Sequence, residues 1–203
     1  NAPAKIILTI SHIDPDSLAS MFQKKRILET LFGKSVDVYY GGKPGRPQNQ
    51  TIINTFHLNY FMMPFEHYLK KRHDDDFIIL VDSPSFNDSR FGGDLGFKPN
   101  VVIDHHARPA NMAEEPEGSW YWYQSSGACA SLIAKLMFEL GMTFSTPDEA
   151  ATIGIIGILE DSARLVSRHT TQLDREMIAA LGKFVDQKCV NEISLSTRDP
   201  AFM

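Results

Sequence analysis

Short runs of β-branched and aromatic residues alternate along the chain with longer segments whose apolar positions recur every three or four residues. Lys5–Ile10 (KIILTI), Val36–Tyr40 (VDVYY), Phe77–Val81 (FIILV) and Val101–Ile103 (VVI) are of the first kind. Runs this short and this evenly apolar read as strands buried on both faces, and therefore as parallel strands. Ser119–Tyr123 (SWYWY) is a further strand candidate. Between the first two runs, Leu18, Met21, Phe22, Leu28, Leu31 and Phe32 share one helical face that Gly33 closes, which predicts a right-handed βαβ crossover. Cys129, Leu132, Ile133, Leu136, Met137 and Leu140 repeat at helical spacing and stop at Gly141. Thr146–Glu149 (TPDE) has the form of a capping box with proline at the first helical position. The AATIGIIGIL that follows is apolar nearly all round, so that helix is expected to be buried. A last helix starts near Gln172 and uses Leu173, Met177, Leu181, Phe184 and Val185. The expected fold is α/β: a five-stranded, mostly parallel sheet flanked by helices on both faces. One domain is expected over residues 3–188, and 189–203 reads as a tail or linker.

Totals narrow the function. The 203 residues carry 20 Lys and Arg against 25 Asp and Glu, a formal charge of −5, which argues against tight binding to long duplex nucleic acid and leaves small phosphorylated ligands open. Two cysteines, Cys129 and Cys189, make neither a disulfide framework nor a zinc spacing and fit a reducing, cytoplasmic setting. No stretch approaches transmembrane length, so no membrane partner is expected. Gly41–Gln50, with Lys43 and Arg46, reads as a solvated connection in preference to a phosphate-facing loop, and Lys70–Asp76 as a solvated turn.

The chemistry gathers at strand ends. The first strand runs into His12, Asp14 and Asp16, the third into Asp82, and the fourth into Asp104, His105 and His106. Ligand crevices of open parallel sheets lie outside the carboxyl ends of the strands, so these groups are expected to converge. Asp161, ending the buried helix, is expected to face the same crevice. Carboxylates and imidazoles without thiolates suit manganese or magnesium, with zinc as an alternative. Unmetallated, such acids would repel one another and raise one another's pKa. A carboxylate bridging two ions roughly 3.5–4 Å apart supports phosphoryl transfer, and Asp82, at the centre of the expected strand order, is the bridging candidate. Taken singly, an aspartate such as Asp14, Asp16 or Asp82 after a strand is more often a helix cap or turn former than a ligand; it is their occurrence together that points to a site. Asp104 reads as a group that orients His105. Asp148 and Glu149 are explained as acids of a helix's first turn, and His57, His67, His73 and His169 as surface or capping residues. Ser125, Ser126 and Gly127, at the start of the 129–140 helix, suit either a plain N-cap or a phosphate held by backbone N–H groups.

With HIDPDSLAS, LVDSPSF, VIDHHARP, SSGACASLI and GILEDSARL in order, the chain resembles the DHH phosphoesterase superfamily, named for Asp-His-His. It looks most like the catalytic half of the RecJ-type and nanoRNase, exopolyphosphatase-related branch. The resemblance implies the DHH-domain architecture and a phosphohydrolase with two manganese ions. Carried over by motif, Asp14 would bind the first ion, with His12 as a candidate ligand beside it. Asp16 would bind the second, Asp82 would bridge, and His105 and Asp161 would complete the second site. His106 would contact the substrate phosphate with Asp104 behind it, and Arg108 would be a further phosphate contact. Many relatives place a histidine where this chain has Ile10. The family's usual C-terminal associated domain has no counterpart in these residues, which fits a shortened piece or a short relative. The expected substrate is a short nucleotide: a nanoRNA, a nucleoside 3′,5′-bisphosphate or a cyclic dinucleotide. Pyrophosphatase or exopolyphosphatase activity, or a non-catalytic nucleotide-binding role, is the alternative. A homodimer is left open.

Overall fold

The computed structural model describes residues 5–93, 95–106 and 118–196. Six strands form one parallel sheet: β1 (Ile6–Ile10), β2 (Asp37–Tyr40), β3 (Met62–Pro64), β4 (Phe77–Val81), β5 (Val101–Asp104) and β6 (Trp120–Tyr123). Their order is β3-β2-β1-β4-β5-β6. The helices are α1 (Pro15–Phe32), α2 (Pro47–Thr55), α3 (Phe65–Leu69), α4 (Cys129–Glu139), α5 (Glu149–Asp161), α6 (Gln172–Leu181) and α7 (Gln187–Leu195). Among the described residues no helix is long and apolar enough to cross a membrane.

The sheet has six strands where five were expected. The extra one, β3, is three residues of Met-Met-Pro paired only with β2, too short to make a pattern and closed by a proline that an edge strand tolerates. Side chains alternate between two cores. Leu8, Ile10, Val38, Ile79, Val81 and Ile103 face α1, α4 and α5, whereas Ile7, Tyr39, Ile78, Leu80 and Val102 face Phe65 and Tyr68 of α3 together with Phe86 and Phe91. The second face is therefore covered by one short helix and a layer of loop aromatics.

Register and order place the site. Ile10 is paired with Val81 and Val81 with Ile103, so Ser11, Asp82 and Asp104 leave the sheet side by side. Strand order reverses between β1 and β4, and the crevice opens at that point.

α1 begins where expected, because Asp14 caps it by accepting from the Ser17 N–H at 2.9 Å and Pro15 takes the first helical position. Its buried stripe ends at Leu28; Leu31 and Phe32 are exposed. α5 starts later than the TPDE pattern predicts. Asp148 is its N-cap, accepting from Ala150 and Ala151 N–H at 2.9 and 3.2 Å, and Pro147 precedes the helix. Asp148 wins because it also pairs with Arg26 at 2.7 Å. Burial pushes its carboxyl up, but Arg26 and the backbone donors outweigh this and hold it below the ordinary range. α5 lies directly on α1: a Cβ at Gly157 would stand 2.6 Å from the Ala19 Cβ and 3.1 Å from the Pro15 carbonyl. That close approach presses α5 against the turn that carries Asp16.

Two further expectations change. Pro47 opens α2 inside the stretch read as a loop, leaving Lys43 and Arg46 exposed on the residues before it. The stretch read as a tail from Cys189 is helical, and Val190 and Ile193 are buried in the core beside α5, so the packed unit runs past residue 188.

Candidate active site

Four carboxylates and an imidazole meet at the ends of β1, β4 and β5 and of α5. The His105 Nδ1 lies 3.0 Å from the Ser126 carbonyl. A carbonyl only accepts, so Nδ1 carries the proton and Nε2 is turned toward the acids. Nε2 stands 3.3 Å from Asp82 Oδ1 and 3.6 Å from both Asp16 Oδ2 and Asp161 Oδ2. Burial alone would lower the His105 pKa; Asp82 and Asp16 overcome it and raise it to about 10. His106 Nδ1 is 2.7 Å from Asp104 Oδ1, so Asp104 orients His106 and not His105; that hydrogen bond raises the His106 pKa.

Asp16 is wholly enclosed. Its two oxygens accept from the Cys129 and Ala130 N–H groups, at 2.7 and 2.8 Å, at the start of α4. The backbone donors that could have cradled a phosphate therefore hold a carboxylate of the site itself. Gly127 N–H is also committed, donating to Asp174 at 2.7 Å, and Ser126 Oγ donates to the Ala128 carbonyl at 2.8 Å. Ser125 is exposed. Burial and the charge of Asp82 push Asp16 well above the ordinary carboxylate range, and Asp14 is raised for the same two reasons. Burial raises Asp161 as well.

Asp82 sits at φ 57°, in the left-handed region that Asp and Asn tolerate better than most residues. Ser17 Oγ donates to its Oδ2 at 2.5 Å. Oδ1 is buried without a hydrogen-bond donor among the described residues. Burial pushes the Asp82 carboxyl up, but His105, 3.3 Å away, outweighs it and lowers its pKa. An orphaned buried carboxylate oxygen facing an imidazole is the arrangement a cation completes. Two triads have ligand atoms lying within 4.8 Å of one another: Asp16, His105 and Asp161; and Asp82, His105 and His106. Oxygen and imidazole donors without thiolate fit a hard or borderline divalent ion.

Other sequence-level candidates fall elsewhere. His12 joins neither triad. Its Nδ1 contacts Arg90 Nη1 at 2.6 Å and its Nε2 is 3.7 Å from Asp14 Oδ2. Ile10 is fully buried in the core. Arg108 lies outside the described residues. His57, His67, His73 and His169 are exposed. A cleft of about 370 Å³ is lined by Ser11, His12, Asp14, Asp82, Ser83, Pro84, Asp88, Arg90 and His106. A larger cavity, about 640 Å³, opens on the other half of α1, where Lys25 and Arg26 are already paired with Glu29 and Asp148.

Sequence reasoning missed Ser17, Arg90 and Asp174. Asp174 is wholly buried and accepts from Gly127 N–H, Ser131 Oγ, Thr171 N–H and Thr171 Oγ1 at 2.6–2.8 Å. It thereby fixes the 126–127 turn whose carbonyl orients His105. Asp174→Ala is expected to cost about 3 kcal/mol, because several buried donors lose their acceptor at once; a urea melt reads it, and a loss below about 1 kcal/mol would remove the anchoring role. Directly after Asp161, Ala163, Arg164 and Leu165 all take positive φ, 48°, 58° and 67°. Left-handed backbone costs roughly 1–2 kcal/mol per residue, and such strain collects at functional sites.

The same fold recurs in known proteins. An uncharacterized protein of Methanocaldococcus jannaschii is 27% identical over 194 residues, covering 93% of this chain and 36% of that protein. A candidate family II inorganic pyrophosphatase of Methanococcus jannaschii shares the fold at TM-score 0.64 and 21% identity, over 95% of this chain and 61% of its own. An exopolyphosphatase-related protein of Bacteroides fragilis does so at TM-score 0.69 and 15% identity, over 98% and 58%. The chain thus spans about a third of that curated relative and about three fifths of the two solved chains. The family model for the DHH family, N-terminal domain, matches residues 6–158, and the chain belongs to that family.

Proposed function

We propose that this chain is the catalytic domain of a manganese-dependent phosphohydrolase that cleaves phosphodiester or phosphomonoester bonds of short nucleotides. The observation that carries the reading is the His105 Nε2 set among Asp16, Asp82 and Asp161, with a second triad sharing the same imidazole. Asp16, His105 and Asp161 would hold one ion, Asp14 the other, and Asp82 would serve both. Bound there, two divalent ions supply Lewis-acid polarisation of a phosphoryl oxygen and a water of lowered pKa.

The chain's own residues do the rest. Ser126, through its carbonyl, keeps the His105 proton on Nδ1, and the start of α4 fixes both oxygens of Asp16. Ser17 pins one oxygen of Asp82 and leaves the other toward the imidazoles. Asp104 holds the Nδ1 proton of His106, so His106 Nε2 is the atom available to a substrate oxygen.

The cleft, about 370 Å³, has room for a small phosphorylated substrate, and the acidic balance of the chain favours a short one. Pyrophosphate and polyphosphate remain the rival substrates on the names of the two solved neighbours. Calorimetric titration of chelator-stripped protein should give two manganese ions per chain. A panel of dinucleotides, adenosine 3′,5′-bisphosphate, cyclic dinucleotide, pyrophosphate and polyphosphate should then give fastest turnover on a nucleotide. Faster turnover of pyrophosphate would transfer the function to the rival, and one ion or none, with no hydrolysis, would leave a binding module.

A further inference from the structure

Resting on the phosphohydrolase reading, we propose that Arg90 is the cleft's phosphate-gripping residue, donating from its guanidinium to a phosphoryl oxygen of the substrate. Among the described residues lining the cleft, Arg90 is the one lysine or arginine, and its side chain is 41% exposed. It stands beside Asp14, Asp82 and His106, where an anionic substrate must be drawn in against carboxylates.

Its placement is built from below. Asp88 accepts the Arg90 N–H at 2.9 Å, capping the turn Ser89–Phe91, and its Oδ1 also lies 3.2 Å from the guanidinium Nε. The neighbouring Phe91 is buried, edge-on to Phe65 and Phe86 with ring centroids 4.7 and 4.9 Å apart. The Arg90 carbonyl accepts from Gly42 N–H at 3.2 Å. A Cβ on Gly41 would stand 3.1 Å from both the Arg90 and Ser11 carbonyls, so the turn is seated tightly against the end of β1. The arginine is thus anchored at its base and directed over the cleft.

At its tip, Nη1 touches His12 Nδ1 at 2.6 Å. A guanidinium only donates, so His12 Nδ1 accepts and a neutral His12 carries its proton on Nε2. Held that way, His12 does not present Nε2 to an ion; it supports the arginine. Neutral imidazole is a weaker acceptor for a guanidinium than a phosphoryl oxygen, to which arginine binds in a bidentate, charge-assisted manner. Substrate is therefore the stronger partner for the same donors.

Titration of inorganic phosphate into manganese-loaded protein tests the assignment. Arg90→Ala should weaken phosphate binding at least tenfold and Arg90→Lys by less, with manganese stoichiometry unchanged and manganese affinity within twofold of wild type. Asp88→Asn, which loosens the base of the arginine and leaves its charge, should fall between wild type and Arg90→Ala; it serves if circular dichroism shows Arg90→Ala misfolded. Phosphate affinity of Arg90→Ala within twofold of wild type overturns the proposal, as does wild-type protein that binds manganese but no phosphate. Loss of manganese from Arg90→Ala also overturns it, making the arginine a prop for the metal ligands through His12. Wild-type protein that takes up no manganese fails the phosphohydrolase reading and removes this assignment with it.

Discussion

Asp82→Asn is expected to lower turnover about a thousandfold or more while the melting temperature stays within about 4 °C of wild type, the shift that one kcal/mol produces in a chain of this size. The substitution suits the position. Asparagine tolerates the left-handed φ of 57° and offers an amide oxygen to the Ser17 hydroxyl, so the turn after β4 keeps its geometry. What it removes is the charge facing His105 and His106. A neutral amide cannot serve two cations as a carboxylate does, so manganese stoichiometry should fall with the rate. Alanine would confound the experiment, because strain at positive φ would add to lost chemistry. Turnover within tenfold of wild type would remove Asp82 from the centre of the mechanism.

Stripping the protein of divalent cations should make its stability fall as pH rises. In the stripped protein His105 has a folded pKa of about 10 against an ordinary 6.5. A raised pKa means that the stabilisation is complete below 6.5 and is lost as pH climbs toward 10. Asp14, Asp16 and Asp161 are raised too, so their contributions are also lost with rising pH, from the ordinary carboxylate range upward. Asp82 runs the other way, its contribution lost only as pH falls through its lowered pKa in acid. In the proposed site, bound cations would replace the imidazolium charge, and their binding would strengthen as His105 gives up its proton. The melting temperatures of loaded and stripped protein should therefore separate by roughly 5 °C or more between pH 6.5 and 9. A stripped protein whose melting temperature is flat across that window would contradict the electrostatic account of the cluster.

Much of this arrangement was legible in the chain before its coordinates. β1, β2, β4 and β5 are apolar runs that only a sheet buried on both faces explains, and their shared register follows from parallel pairing. Asp14, Asp16, Asp82, His105 and His106 could be placed because strand ends in such a sheet converge. β3 could not, since three residues make no period, and α2 was hidden by the proline and polar residues of PQNQT. Ser17, Arg90 and Asp174 were invisible for another reason. Their partners, Asp82, His12 and Gly127, lie 65, 78 and 47 positions away, and nothing local marks a serine, an arginine or an N3 aspartate as paired across the fold. Spacing alone assigns Asp104 to the nearer histidine, whereas the family motif sets it behind His106, the residue that the turn after β5 brings round to it.

The division of the interior into two cores carries a consequence for how such a protein can diversify. Asp14, Asp16 and Asp161 are backed by the helical layer of α1, α4 and α5, while Arg90 stands on the aromatic layer of Phe65, Phe86 and Phe91. The sheet separates the two layers. Repacking the aromatic side would re-aim Arg90 and leave the scaffold of the acid cluster unaltered; repacking the helical side would do the reverse. Under the proposed reading, selectivity and reactivity would therefore rest on different sets of residues, on opposite faces of one sheet.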